Sequence, residues 1–209
     1  MTQLLDIKPD MIEAESFRII EREIGDTNFS MDEFAVARRI IHATGDFSFA
    51  DTLRFHEDAI RAGVYAIRAG RNILVDVNMA ACGISSRLLE QWGGRVICRI
   101  SEPETAALAR DKGLTRSEAA VIRSTSDNIG IAVVGNAPTA LLKVMELMEA
   151  GRDGEFAPDL VIGVPVGFVN AAESKEILAS KPYPFITALG RKGGTPVAVA
   201  AVNALLRLP

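Results

Sequence analysis

Residues 128–150, NIGIAVVGNAPTALLKVMELMEA, and residues 159–175, DLVIGVPVGFVNAAESK, decide how this chain folds. Ile129–Val134 and Leu160–Val164 are apolar runs of strand length, each followed by a glycine-bearing turn and the start of a helical pattern. Between them, apolar residues at 141, 142, 144, 145, 147 and 148 keep the helix period from about Pro138 to Ala150. Strand, turn, helix, strand is a βαβ unit, whose strands run parallel with a right-handed crossover. In open parallel sheets the ligand lies outside the carboxyl ends of the strands. GNAPT (135–139) and GVPVGFVNAAES (163–174) are therefore where a small molecule is expected to touch the chain.

Working outward, Asn72–Val77 (NILVDV, with an acid at Asp76), Arg95–Ile100 (RVICRI) and Pro184–Leu189 (PFITAL) read as three more strands. Helical patterns cover Glu57–Ala69, Ser85–Gln91, Pro103–Lys112, Thr115 to about Ser124, and Ala172–Ala179. The last helix is expected to start with Thr195 as N-cap and Pro196 in its first turn. Before them come an amphipathic helix over Ile12–Ile24 and a second one opened by the capping box Ser30–Glu33 and closing at His42. Five strands alternating with helices imply an α/β fold, a three-layer αβα sandwich on a doubly wound parallel five-stranded sheet, with extra N-terminal helices. No repeat or linker divides residues 1–209, so one domain is expected.

Composition narrows the function classes. The 209 residues carry 48% apolar and 24% charged side chains and a net charge of −4, without a basic tract. A nucleic-acid partner is disfavoured, and an anionic ligand must be met by local cations. Cys82 and Cys98 form no CxxC pair and read as buried thiols. Two histidines and no His/Cys cluster argue against a dedicated metal site. A basic flank and apolar signal core are missing from the N-terminus, and no apolar run reaches 18 residues, so no membrane and a cytoplasmic location are expected.

GNAPT, GVPVGFVNAAES and GRKGGTP (190–196) lead into helix starts at one sheet edge, where unpaired N–H groups and a partial positive charge suit carboxylates or phosphates. None matches GxGxxG or GxxxxGK[ST], so a nucleotide site has no motif behind it. They read equally as tight turns. His42 ends a helix after Arg38 and Arg39 and precedes the flexible Ala43-Thr44-Gly45-Asp46. An imidazole holds or releases a proton near neutral pH. Neighbouring arginines disfavour its charged form, whereas a bound polycarboxylate favours it. A lone helix-end histidine is still more often structural than catalytic. His56, in FHED, reads as a solvated helix-start residue. Arg39, Arg116, Arg191 and Lys192 suit carboxylate binding only if they share a location.

Together, EAESF (13–17), RRIIHATGD (38–46), GLTRSEAA (113–120), VVGNAPTALL (133–142), GVPVGFVNAAESK (163–175) and GRKGGTPVAVAAVNAL (190–205) resemble the precorrin-8X methylmutase family of corrin biosynthesis, over nearly the whole chain. The resemblance implies a flavodoxin-like fold, a homodimer, and an isomerase that moves a methyl group from ring carbon 11 to carbon 12 of a tetrapyrrole polycarboxylate. It implies no cofactor, cobalt entering only if the substrate macrocycle carries it, and hand-over of product to the next enzyme of the pathway. His42 falls on the family's catalytic histidine and is expected to act as general acid toward a ring nitrogen. Ser16, Arg39 and Thr115–Ser117, including Arg116, fall on substrate contacts. Gly135, Asn136, Gly167 and Arg191, in the three glycine turns, complete the expected substrate site. A non-catalytic corrinoid-binding carrier and an unrelated flavin- or nucleotide-binding domain are the competing readings.

Overall fold

A computed structural model describes residues 7–151 and 156–209. It contains a sheet of six strands: β1 (Leu53–Phe55), β2 (Asn72–Val75), β3 (Val96–Ile97), β4 (Ile129–Val134), β5 (Leu160–Gly163) and β6 (Phe185–Ala188), in the order β1-β6-β5-β4-β2-β3. All pairings are parallel except β1 with β6, which runs antiparallel through Leu53↔Ala188 and Phe55↔Ile186. The five expected strands thus form the parallel part, in the doubly wound order found in flavodoxin-like folds. The sixth is an addition. Three residues, Leu-Arg-Phe, are too short to show a strand period, and their pairing comes from the free edge of β6 that they cover.

Every residue of β4 is buried, as a central parallel strand requires when both faces are covered. The pleat sends alternate side chains to the two sides. Ile73, Val75, Ile131, Val133, Leu160, Ile162 and Ile186 join one apolar cluster, which also takes in residues of α2 (Met31–Thr44), α4 (Ala59–Arg68) and α11 (Thr195–Leu205). Leu74, Ala132, Val134, Val161 and Phe185 join the other, with residues of α8 (Arg116–Arg123), α9 (Pro138–Ala150) and α10 (Ala171–Ala179). Helices α1 (Ile12–Ile24), α3 (Phe49–Thr52), α5 (Asn78–Gly83), α6 (Ser86–Glu90) and α7 (Pro103–Lys112) complete the α-helices among the described residues, and a 3-10 turn, Pro9–Met11, leads into α1.

Both expected capping boxes form: Ser30 with Glu33 at α2, and Thr115 with Glu118 at α8. Three local readings need correction. Gly194, not Thr195, is the N-cap of α11, because a φ of 116° at that residue suits glycine and sets Thr195 inside the helix. Helix α5 has no counterpart in the expected elements, since six residues, Asn-Met-Ala-Ala-Cys-Gly, make less than two turns and cannot show a helical period. Nor are the cysteines both buried: Cys82 is exposed on α5, and Cys98, beyond the edge strand β3, is half-buried with its thiol donating to Asn78 Oδ1 at 3.2 Å. Among the described residues no helix is long and apolar enough to cross a membrane.

Candidate functional site

The strand order reverses between β2 and β4, which makes the carboxyl ends of these two strands the expected binding crevice. There the GNAPT turn enters α9. Asp76, one residue past β2 and 4% exposed, accepts from the backbone N–H groups of Gly135 at 3.1 Å, Asn136 at 2.8 Å and Ala137 at 2.8 Å. This corrects the expectation that the turn offers unpaired N–H groups to a ligand: a carboxylate of the chain itself takes them. Burial raises the Asp76 pKa from its ordinary value, even though the three N–H bonds pull it down. Gly135 is buried against Thr195, whose Cα would lie 2.9 Å from a Cβ there, and Asn136 stays exposed beside it.

The turns after β5 and β6 interlock. Gly194 donates to the Val164 carbonyl at 2.8 Å and Gly167 to the Arg191 carbonyl at 3.2 Å. Gly193 has a φ of 157°, and a Cβ there would lie 2.2 Å from the Val164 oxygen. Gly193→Ala is expected to cost about 2 kcal/mol or more in urea unfolding; a loss below about 0.5 kcal/mol would show that the turn relaxes freely. From the same turn Lys192 Nζ donates to Asp46 Oδ2 at 2.7 Å and to Ser48 Oγ at 2.9 Å. The Lys192 bond leads the causes that bring the Asp46 pKa down to about 2, with Ser48 adding to it. Lys192→Met is expected to return Asp46 toward the ordinary carboxylate range in a carboxyl NMR titration. A value still near 2 would assign the effect to Ser48 alone.

Asp46 follows the end of α2, which Gly45 closes in the left-handed conformation, φ 65°. His42 lies in the last turn of that helix, is exposed, and sets its ring edge-on to Phe17 of α1, centroids 5.3 Å apart. One turn back, Arg39 pairs with Glu13 Oε1 at 2.7 Å and lies 5.2 Å from the Phe17 ring. Ser16, on the same stretch of α1, donates its hydroxyl to the Ile12 carbonyl at 2.8 Å. Thus Arg39 and His42 meet at the Phe17 ring, and Ser16 precedes Phe17 on α1. His56 lies elsewhere, just past β1, where its backbone N–H donates to the Phe185 carbonyl of β6 at 3.0 Å and its Nδ1 accepts from Asp58 N–H at 3.2 Å.

Thr115 caps α8 and contacts Thr139 of α9, hydroxyl to hydroxyl, at 3.1 Å, which seats Thr115–Ser117 next to the GNAPT turn. Arg116 is exposed, and Ser117 closes a small gap with Asp76, Ala120 and Val144. Beyond β5, Val166, Phe168 and Val169 are exposed, and the Arg191 guanidinium lies 5.4 Å over the Phe168 ring. The expected residues therefore line one edge of the sheet, with His42 on the α2 side and Thr115–Ser117 on the α8 side. Among the described residues no hydrogen bond or ion pair joins these two ends directly. Exposed Val166, Phe168 and Val169 with Arg191 thus give this edge both apolar surface and positive charge.

The precorrin-8X methylmutase family model matches residues 11–208. The chain belongs to the precorrin-8X methylmutase family. It is 43% identical over 206 residues to cobalt-precorrin-8 methylmutase of Salmonella typhimurium, covering 95% of each chain. Against precorrin-8X methylmutase of Pseudomonas aeruginosa the identity is 42% over 197 residues, covering 93% of each. Among solved structures, precorrin-8X methylmutase of Thermus thermophilus superposes with a TM-score of 0.84 at 45% identity, over 95% of each chain. In this methylmutase-family chain, sequence reasoning passed over Asp76 and the Lys192–Asp46 link. An acid closing an otherwise apolar strand, Asn-Ile-Leu-Val-Asp-Val, was the available signal for the first. Nothing short of the fold brings residues 46 and 192 together.

Proposed function

We propose that this chain isomerises precorrin-8X or its cobalt-containing counterpart, moving the methyl group from ring carbon 11 to carbon 12 to give the corrin, with His42 as general acid. The observation that carries this reading is the placement of His42: an exposed imidazole at the carboxyl edge of the sheet, one helical turn from Arg39 and four residues before Asp46, which Lys192 ties to the turn bearing Arg191. A proton or hydrogen bond given to a nitrogen of the ring that bears the methyl draws electrons from the migrating centre and returns when the shift is complete. The carbon–methyl bond broken at one carbon is remade at its neighbour, so substrate and product are isomers. No external donor, oxidant or cofactor enters, and cobalt takes part only as a passenger of the substrate. Arg39, Arg116 and Arg191, with Ser16, Thr115, Ser117, Asn136 and the turn at Gly167, would hold the peripheral carboxylates and fix the ring's register. Gly135 serves by shape, its N–H being taken by Asp76.

The same carboxylate weighs against a flavin or nucleotide domain, because Asp76 fills the place where the fold would seat a phosphate. A cytoplasmic homodimer that hands its product onward belongs to this reading through the family resemblance. Relatives of both names match almost equally, so the test offers both substrates. Anaerobic incubation with precorrin-8X and with cobalt-precorrin-8, followed by absorption, is expected to yield a corrin spectrum from at least one. Spectral shifts on binding without product would favour a corrinoid carrier, and no change with either would sink both readings.

A further inference from the structure

Lys175, in α10, has no exposed surface at all. Lysine is almost never fully buried unless paired, because its ammonium loses hydration on burial. Here the only hydrogen-bond acceptor seen for it among the described residues is a main-chain oxygen: Nζ donates to the Lys192 carbonyl at 2.6 Å. Burial by itself pushes its pKa down to about 8. Ala171, Ser174 and Leu178 of the same helix are buried around it, so an unbranched apolar side chain of similar length would suit the surroundings better. What the ammonium gains is a grip on the turn Gly190–Gly194, whose other contacts leave no slack at Gly193.

We propose that Lys175 is a positioning residue of the methyl-transfer site. By holding the Lys192 carbonyl it sets the height of the turn from which Arg191 faces the substrate carboxylates and Lys192 reaches Asp46, four residues beyond His42. The inference rests on the isomerase reading above. It also separates two roles that look alike in the structure. A brace that only supports the fold gives up stability when removed. A positioning cation that is costly to bury gives up function while stability holds or improves.

The test measures thermal unfolding, kcat, KM and binding of the corrin product by absorption titration for Lys175→Met, Arg191→Ala and the double variant. Lys175→Met is expected to unfold at the wild-type temperature or above it, while product affinity and kcat/KM fall about tenfold, chiefly through KM. The double variant is expected to lose no more affinity than Arg191→Ala alone, because both changes act through one turn. Earlier unfolding with unchanged affinity, or additive losses, would overturn the proposal. Should Lys175→Met not fold, Lys175→Arg, which keeps a cationic donor, is expected to bind product within about threefold of the wild type; failure of both to fold would make Lys175 a structural requirement and end the proposal. Wild-type protein that neither converts the two substrates nor binds the product would overturn the isomerase reading, and this one with it.

Discussion

His42→Ala is expected to lower kcat for the methyl shift by about 10²–10⁴-fold, the range over which a positioned acid contributes. Structure should survive the change. The side chain is exposed, and its one aromatic contact, the edge-on approach to Phe17, is worth roughly 0.5–1.5 kcal/mol against a total stability of about 5–15 kcal/mol. Loss of rate without loss of fold is thus the signature. His42→Gln refines it, since an amide donates a hydrogen bond but not a proton: recovery of rate by Gln would assign His42 to hydrogen bonding rather than proton transfer. Arg39→Ala should behave differently. Its guanidinium is held by Glu13 in the free chain, and a substrate carboxylate would have to displace that partner, so the loss falls mainly on KM. Single-turnover measurement decides whether chemistry is the slow step. If it is, and His42→Ala turns over near the wild-type rate, the acid role is gone.

Much of this arrangement could be read from residue order. Apolar runs such as Ile129–Val134 are long enough, and buried enough, to announce themselves as central strands. Capping boxes at Ser30 and Thr115 place helix starts to the residue, because both partners are close in sequence. RRIIHATGD shows a histidine at a helix end for the same local reason. What escaped the sequence is long-range or very short. Strand β1 exists through the free edge of β6, not through any preference of Leu-Arg-Phe. Thr195 has the composition of an N-cap, yet Gly194 takes the position because the turn must close on Val164. The meeting of Arg39 and His42 at Phe17 depends on how α1 lies across α2, and no spacing encodes that. Asp76 illustrates the limit best: an acid in a strand suggests a polar edge, whereas its partners stand some sixty residues away in the GNAPT turn.

Asp76→Ala is expected to be the most damaging single change outside the substrate contacts, costing about 2–4 kcal/mol and lowering the unfolding temperature by roughly 4–16 °C for a chain of this size. Three consecutive N–H groups lose their acceptor; that of Gly135 is buried and those of exposed Asn136 and half-buried Ala137 are partly so, and a buried unpaired donor costs on the order of 1–3 kcal/mol unless water enters. Charge works against this gain. Burial raises the Asp76 pKa above its ordinary 3.8, so between that value and the folded one the native chain binds more protons than the unfolded chain. The stability contributed by ionisation of this group is therefore greatest below 3.8 and falls as pH rises through the folded value. The difference in stability between wild type and Asp76→Ala should shrink over that interval yet stay positive at neutral pH, where the three bonds persist. Asp76→Asn removes the charge but turns an amide N–H₂ toward backbone N–H groups, and is expected to recover less than its shape suggests. Asp76→Gly leaves a vacated anion seat at the start of α9, and added formate is expected to raise its unfolding temperature while leaving the wild type unmoved. An Asp76→Ala protein as stable as the wild type, or an Asp76→Gly protein indifferent to formate, would mean that water satisfies the turn unaided, and that the carboxylate is not what shapes GNAPT for the substrate.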